Sequence, residues 1–234
     1  SPHAGYGFSG RTAGHTYAAL GSGGYETVVI IAPSHFEYFP YVSLYDGSGY
    51  EIPGDTVKID QSLSSSLLDL GSGFIRAGSE GHFSSGDRQE HSLEVQIPFI
   101  SEILPEAALV PLVMGDQSAK ICRALGEKLA EVLAGKNAVI IASTDLSHFH
   151  PYDEAVGMDS TLIKFAREFD YNSILEKTAS GKIEACGSGP LVSAMIAAEK
   201  LGASKAECLD YSNSGDVAGG SKDSVVGYMS LIMY

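Results

Sequence analysis

Seven histidines are spread through the 234 residues, and three of them share a setting. His3 follows Ser1-Pro2, His35 follows Pro33-Ser34, and His148 follows Asp145-Leu146-Ser147, each beyond a short break near the end of a predicted strand. One such histidine is ordinarily a structural residue with its hydrogen bonds satisfied. Three in one kind of position argue for a site, because strand ends of α/β sheets converge on a ligand crevice. Imidazole is both the commonest metal ligand and the usual general base near neutral pH. Cys186 adds a soft donor. It precedes a predicted helix, whose positive end is expected to favour the thiolate, the only form that ligates metal; the alternative is a small buried hydrophobe. Two imidazoles and one thiolate with open positions suit iron, copper or zinc, and none of the compact zinc spacings is present.

Asp145 lies three residues before His148, so its carboxylate is expected to orient that imidazole or tune its basicity; the bland alternative is a cap on the turn that follows. Glu90-His91-Ser92-Leu93-Glu94 opens a predicted helix, where acidic residues are favoured by the dipole alone. Capping is therefore the default for Glu90, and pocket lining by Glu90 and His91 the sharper reading. His150 shares a face with His148 only if the segment is extended, and His15 and His82 read as surface or loop residues. Gly187-Ser188-Gly189-Pro190 ahead of a helix resembles an anion cradle. Gly219-Gly220-Ser221-Lys222 lacks the Walker spacing. With no G-x-S-x-G elbow a serine hydrolase is unsupported, and no nucleotide cofactor is expected.

These residues must be positioned by the elements between them. Thr27 to Ala32 carries five consecutive apolar residues, the pattern of a strand buried on both faces, and Pro33, which has no N–H to donate, should end it. Ala138 to Ala142 repeats the construction, with His148 as its expected delivery. Leu109 to Val113 reads as a third strand, and 41–58 as a β-excursion around the turn Asp46-Gly47-Ser48-Gly49. A strand of at most a few residues at Phe74-Ile75 interrupts the glycine-rich stretch 71–89. Helices are predicted near Ala13–Leu20, Leu63–Leu70, Ser118–Ala134, Val156–Phe169 and Leu191–Ile196, with a shorter one at Ile174-Leu175. Leu93, Ile97, Ile100 and Leu104 mark one more helical face, which Pro98 should kink or restart. Two closing strands, Cys208–Tyr211 and Ser224–Tyr234, complete an alternation of strand and helix. The fold class is therefore α/β: a layered domain over 1–234 with a central mixed or largely parallel sheet flanked by helices. The opening Ser1-Pro2-His3 reads as the end of a strand, so an N-terminal segment is expected to be missing.

Composition bounds the partners. Twenty-nine acidic against fifteen basic residues give a formal charge of −14, which argues against nucleic acid or an anionic membrane. Cys122, Cys186 and Cys208 are odd in number and far apart, so a reducing, cytoplasmic setting is favoured over a disulfide scaffold. No apolar run reaches membrane-spanning length, and no signal peptide is expected.

Pro2-His3-Ala4-Gly5-Tyr6, Pro33-Ser34-His35, Glu90-His91-Ser92-Leu93-Glu94, Ser143-Thr144-Asp145-Leu146-Ser147-His148 and Cys186-Gly187 together resemble, in order, the motifs of the MEMO family, whose microbial members are often labelled AmmeMemoRadiSam system protein B. That family is similar in fold to the class III extradiol dioxygenases, non-haem iron enzymes that cleave catechol rings. The resemblance implies that His3 and His35 fall on the dioxygenase metal histidines and His148 on its general base, while Cys186 takes the place of the third ligand, a glutamate. It further implies a metal cofactor, iron or copper ahead of zinc, a small-molecule or peptide ligand, and a radical-SAM partner protein. A thiolate changes the charge, softness and redox behaviour of an ion, so ring cleavage does not carry over with the fold. Three functions remain open: a dioxygenase-related oxidoreductase, a binding module that retains the pocket, and a zinc-dependent hydrolase.

Overall fold

The computed structural model describes residues 1–21, 23–83, 90–217 and 220–234. Residues 84–89 of the glycine-rich stretch and Gly219 of the weaker anion-loop candidate lie outside the described residues. A first helix, α1 (Tyr6–Leu20), precedes β1 (Thr27–Pro33); β2 (Val42–Tyr45) is followed by the hairpin β3 (Gly49–Ile52) and β4 (Asp55–Lys58). Next come α2 (Gln61–Leu70), β5 (Ile75–Gly78), a 3-10 turn (Glu94–Gln96), α3 (Ile97–Ile103), β6 (Ala108–Met114), α4 (Ala119–Leu133) and β7 (Ala138–Ala142). The chain closes with β8 (His148–His150), α5 (Tyr152–Arg167), α6 (Tyr171–Ala179), α7 (Ser188–Lys200), β9 (Ala206–Asn213) and β10 (Val225–Met233).

Five strands form the central sheet in the order β5-β2-β6-β1-β7. It is mixed and mostly parallel: β1 runs parallel to β6 and β7, β2 parallel to β5, and only β2 against β6 is antiparallel. β1 lies inside the sheet with all seven residues buried. Its apolar run serves both faces. Val29 and Ile31 join a core with Leu125 and Leu129 of α4 and Val192 and Met195 of α7. Val28, Ile30 and Ala32 join a second core with Tyr17 of α1 and Ile97 and Ile100 of α3. Removing each of these Val and Ile side chains from water contributes about 1.5–3 kcal/mol, which makes the register of β1 hard to slip: a shift by one residue would exchange the two sets.

The helix-period pattern from Leu93 to Leu104 is broken as Pro98 requires. A 3-10 turn comes first, and α3 restarts with the proline in its first turn, where no N–H is needed. The 41–58 excursion is only partly excursion, since β2 is recruited into the central sheet between β5 and β6. β9 and β10 pair antiparallel from Ala206↔Met233 to Asn213↔Gly227.

One expectation fails. β7 does not deliver His148 as β1 delivers His35. It ends at Ala142, residues 143–147 leave the sheet, and His148 opens β8, which pairs with β10 in a separate three-stranded sheet. The residue just beyond the end of β7 is Ser143.

Candidate metal centre

His3 is placed by backbone pairing with the end of β7. Ser1 N donates to Ala142 O at 3.0 Å and Thr144 N donates to Ser1 O at 3.0 Å, the pattern of a parallel ladder. His35 lies two residues beyond Pro33, where Ser34 N still donates to Met114 O at 3.1 Å. Cys186 lies two residues ahead of α7 and is tied to the segment after β7 by Cys186 N donating to Asp145 O at 3.3 Å. These three breaks bring one nitrogen of His3, one of His35 and Sγ of Cys186 within 4.8 Å of one another.

The hydrogen bonds around the two histidines decide which nitrogen faces the centre. Ser143 Oγ donates to Ser92 O at 2.6 Å and accepts from Gln96 Nε2 at 2.8 Å. Its single proton is thus committed, so at the 2.9 Å contact with His3 Nδ1 it is the ring that donates. His3 Nε2 is then the lone-pair nitrogen, and it lies 3.2 Å from Cys186 Sγ. Gln96, fully buried, is held in turn by Tyr17 OH at 2.5 Å and donates to Pro2 O at 2.9 Å. For His35 the corresponding partner is Glu90, whose Oε1 lies 2.9 Å from Nδ1 and whose Oε2 accepts the His35 N–H at 2.6 Å. Burial alone would raise the Glu90 carboxyl, but the bonds from the His35 ring, His35 N and Ser92 N outweigh it and bring the group down to about 2. The carboxylate is therefore ionised, Nδ1 of His35 is the donor, and Nε2 carries the lone pair. Burial, then the neighbouring His35 and His91, holds His3 well below the ordinary imidazole value, so it stays neutral and able to ligate.

Two expectations are corrected. Glu90 does not cap a helix: it sits before a 3-10 turn and also accepts from His91 N at 2.9 Å and Ser92 N at 3.1 Å. The end of α7 does not favour the Cys186 thiolate. Burial, then the nearby Asp145 charge, pushes this thiol up to about 12, so it becomes a thiolate only when a cation shares the site. Asp145 N donates to its sulfur at 3.2 Å.

Asp145 is not aimed at His148. Its Oδ1 accepts the backbone N–H groups of His3 at 2.9 Å and Ala4 at 3.3 Å, and Oδ2 lies 3.9 Å from His3 Nε2. Burial raises its carboxyl above the usual range, partly offset by those N–H groups. His148 has its N–H on Glu184 Oε2 at 3.2 Å and its ring edge-on to Phe149, 75% exposed, at 5.8 Å between centroids. Phe149 has φ 62, the left-handed region that a non-glycine residue occupies only at a cost. His150 is drawn away to Glu154 at 3.4 Å and Glu184 at 3.0 Å. His91 joins the histidine cluster, stacked on His35 with ring centroids 5.3 Å apart and edge-on to His3 at 5.7 Å.

The anion cradle at 187–190 is already filled by protein. Gly187 N donates to Thr144 Oγ1 at 2.9 Å, Gly189 N to Gln117 Oε1 at 2.8 Å and Ser188 N to Ala185 O at 3.2 Å. His15 is exposed as expected, but His82 is buried, bonded to Tyr50 OH at 2.5 Å and to Ser43 O at 3.2 Å. Ser143 and Gln96 escaped sequence reasoning, because a serine after a strand and a glutamine in a helix start carry no mark of burial. A cavity of about 580 Å³ lies elsewhere, between β7, α7 and the end of β10, lined largely by aliphatic side chains such as Val139, Ile140 and Leu231. It includes none of the histidines.

The chain was also compared with known proteins. A family model described as Memo-like protein matches residues 1–232. A MEMO1 family protein of Nitrosopumilus maritimus is 35% identical over 232 residues, covering 99% of this chain and 82% of the relative. One from Methanosarcina mazei is 35% identical over 99% of this chain and 84% of its own length, and one from Methanopyrus kandleri 34% identical over 99% and 81%. The five motifs that carry the resemblance thus sit within a match running almost end to end, and the chain belongs to the Memo-like protein family.

Proposed function

We propose that this Memo-like protein binds a metal ion, redox-active iron or copper ahead of redox-inert zinc, through His3, His35 and Cys186, and works as a dioxygenase-related oxidoreductase. The observation that carries the reading is the pair of locked tautomers: Ser143 and Glu90 occupy the Nδ1 side of His3 and His35, which leaves Nε2 as the lone-pair nitrogen of both rings, that of His3 3.2 Å from the Cys186 sulfur. A merely structural pair of histidines has no need of two independent locks beside one thiol. The donor set fits a transition metal of borderline or soft character, and three protein ligands leave open positions for substrate. Bound there, the ion would supply Lewis acidity and one-electron chemistry.

The chain's own residues then have distinct tasks. Asp145 holds the backbone at His3 in place. Cys186 would hold such an ion as its thiolate, its proton passing to solvent. His148, at the start of β8, is the residue to take or give a substrate proton beside the open positions. The exposed rings of Phe36, 43% accessible and edge-on to His35, and Phe149 favour a second reading, in which the pocket only binds a small molecule or peptide.

Metal analysis after purification without chelator separates these readings from none at all. Near-stoichiometric iron or copper is expected in the native protein and loss of it in the His35→Ala, Cys186→Ala double variant; unchanged content would sink the ligand assignment. Oxygen uptake by the Fe(II)-loaded protein with a catechol supports the oxidoreductase, ligand binding without uptake the module. Zinc together with ester or amide turnover that His148→Ala abolishes would point to a hydrolase.

A further inference from the structure

Two of the three ligands named above are tied to one piece of chain, the segment that follows β7. His3 N donates to Asp145 Oδ1 at 2.9 Å, and Cys186 N donates to Asp145 O at 3.3 Å. His35 stands on the other side, just past β1, where Ser34 N donates to Met114 O at the end of β6. Gln117, three residues beyond Met114, spans the interval. Its Nε2 donates to Cys186 O at 2.9 Å, and its Oε1 accepts from Gly189 N at 2.8 Å. A backbone N–H can only donate and a backbone carbonyl only accept, so these partners fix which end of the amide is which. The amide meets both demands at once. An ionised carboxylate could not donate to Cys186 O, nor an ammonium accept from Gly189 N.

The consequence falls on the sulfur. Asp145 O holds the N–H of Cys186 and Gln117 holds its C=O, so both peptide groups that border its Cα are pinned, and with them the direction of its side chain. Sγ then lies 3.2 Å from His3 Nε2. The fit around this loop is close. A Cβ on Gly189 would stand 2.9 Å from Oε1 of Gln117, and one on Gly187 would stand 2.2 Å from Ser143 O. Between them Thr144 Oγ1 takes the Gly187 N–H at 2.9 Å. We infer that Gln117 is a positioning residue for the metal centre: it couples Cys186 to the β6 end beside His35, so that the three donors keep their spacing before an ion arrives. The inference rests on the ligand assignment made above. Cobalt(II) tests the two separately, because a cobalt–thiolate bond has a charge-transfer band that cobalt bound by nitrogen and oxygen lacks.

The experiment titrates the metal-free chain with Co²⁺ against a chelating dye, records the thiolate band at saturation, and measures urea unfolding without metal. Gln117→Glu keeps an acceptor for Gly189 N, at a helix start that favours negative charge, and gives up the donor to Cys186 O. It should bind Co²⁺ about tenfold more weakly, the lower end of what loss of a ligand's orienting partner costs, with a weakened thiolate band. Gln117→Leu gives up both bonds and should lose at least as much. Gly126→Ala is the control for lost stability alone. Its Cβ would stand 2.7 Å from Ile196 Cβ, which disturbs the packing of α4 on α7 and leaves both bonds of Gln117 in place. Its Co²⁺ affinity and thiolate band should equal those of the native chain. Unchanged affinity in Gln117→Glu, or affinity that falls in Gly126→Ala as it does in the Gln117 variants, would overturn the positioning role alone. If Gln117→Leu folds poorly by circular dichroism, Gln117→Glu carries the comparison. If Gly126→Ala does, Ser193→Ala replaces it, a loss of one buried hydroxyl bond within α7. A native chain that binds cobalt without the thiolate band overturns the ligand assignment, and the positioning role falls with it.

Discussion

At the scale of single residues, Ser143 and Glu90 do the same work by different chemistry. Ser143 Oγ is made an acceptor because its proton is already given to Ser92 O, and Glu90 is one because it is ionised. Each removes the tautomer of its histidine that would point a proton at the metal position. Ser143→Ala and Glu90→Gln are each expected to lower metal affinity about 10–100-fold, as loss of a ligand's orienting partner does, measured by competition with a chelating dye at fixed pH. Ser143→Ala also leaves Gln96 Nε2 and Ser92 O short of a partner, at about 1–3 kcal/mol of stability. An affinity unchanged in Ser143→Ala would mean that His3 keeps its tautomer by other means.

At the scale of elements, the segment from β7 to β8 is clamped rather than simply connected. Leu146 N donates to Gly227 O at 2.8 Å, Gly227 N to Ser147 O at 3.0 Å, and Ser147 N to Asp159 Oδ1 at 3.0 Å. Asp159 is fully buried in α5, with its other oxygen on Tyr211 OH at 2.8 Å. A Cβ on Gly227 would stand 2.0 Å from Asp159 Oδ2, and the carboxylate, bonded on both sides, has nowhere to retreat. Gly227→Ala is expected to destabilise by about 1–3 kcal/mol, the usual cost of overpacking, and to loosen β8, so that the amide hydrogens of His148, Phe149 and His150 exchange faster than in the native chain. Denaturant unfolding within 0.5 kcal/mol of the native protein, the range of neutral surface changes, would refute the clamp. Through this contact α5 and β10, distant in sequence, govern where His148 stands.

At the scale of the whole molecule, pH acts on stability through a histidine outside the centre. His82 donates from Nε2 to Ser43 O, which can only accept, so Nδ1 accepts from Tyr50 OH. Burial, opposed in part by the Ser43 carbonyl and nearby carboxylates, pushes it down to about 4. Its unfolded value is about 6.5. Between those values the unfolded chain binds the extra proton and the folded chain does not, so stability is fully present above pH 6.5 and lost as pH falls toward 4. The loss is about 3 kcal/mol at most. Urea unfolding at pH 7 and pH 4.5 should show this fall in the native chain and a smaller one in His82→Gln. The window overlaps the isoelectric point near 4.8, where the −14 charge that keeps the molecules apart has vanished, so light scattering is expected to rise there as well.

The sequence by itself determined the α/β class, the buried β1 and the motifs that carry the family. It did so because unbroken apolar runs, glycine and proline stops and short ordered motifs are local signals. It also pointed to His3, His35 and Cys186 as partners, through the resemblance rather than through spacing. Only the tertiary structure decided the tautomers of His3 and His35, the partner of Asp145, the strand that carries His148 and the burial of His82. Each of those depends on pairs far apart in the chain, such as Ser143 with His3, Glu90 with His35, and Asp159 with Gly227. Burial decided the rest: the same sulfur that a helix end would ionise in water stays protonated at Cys186, because the interior penalises charge more strongly than the helix rewards it.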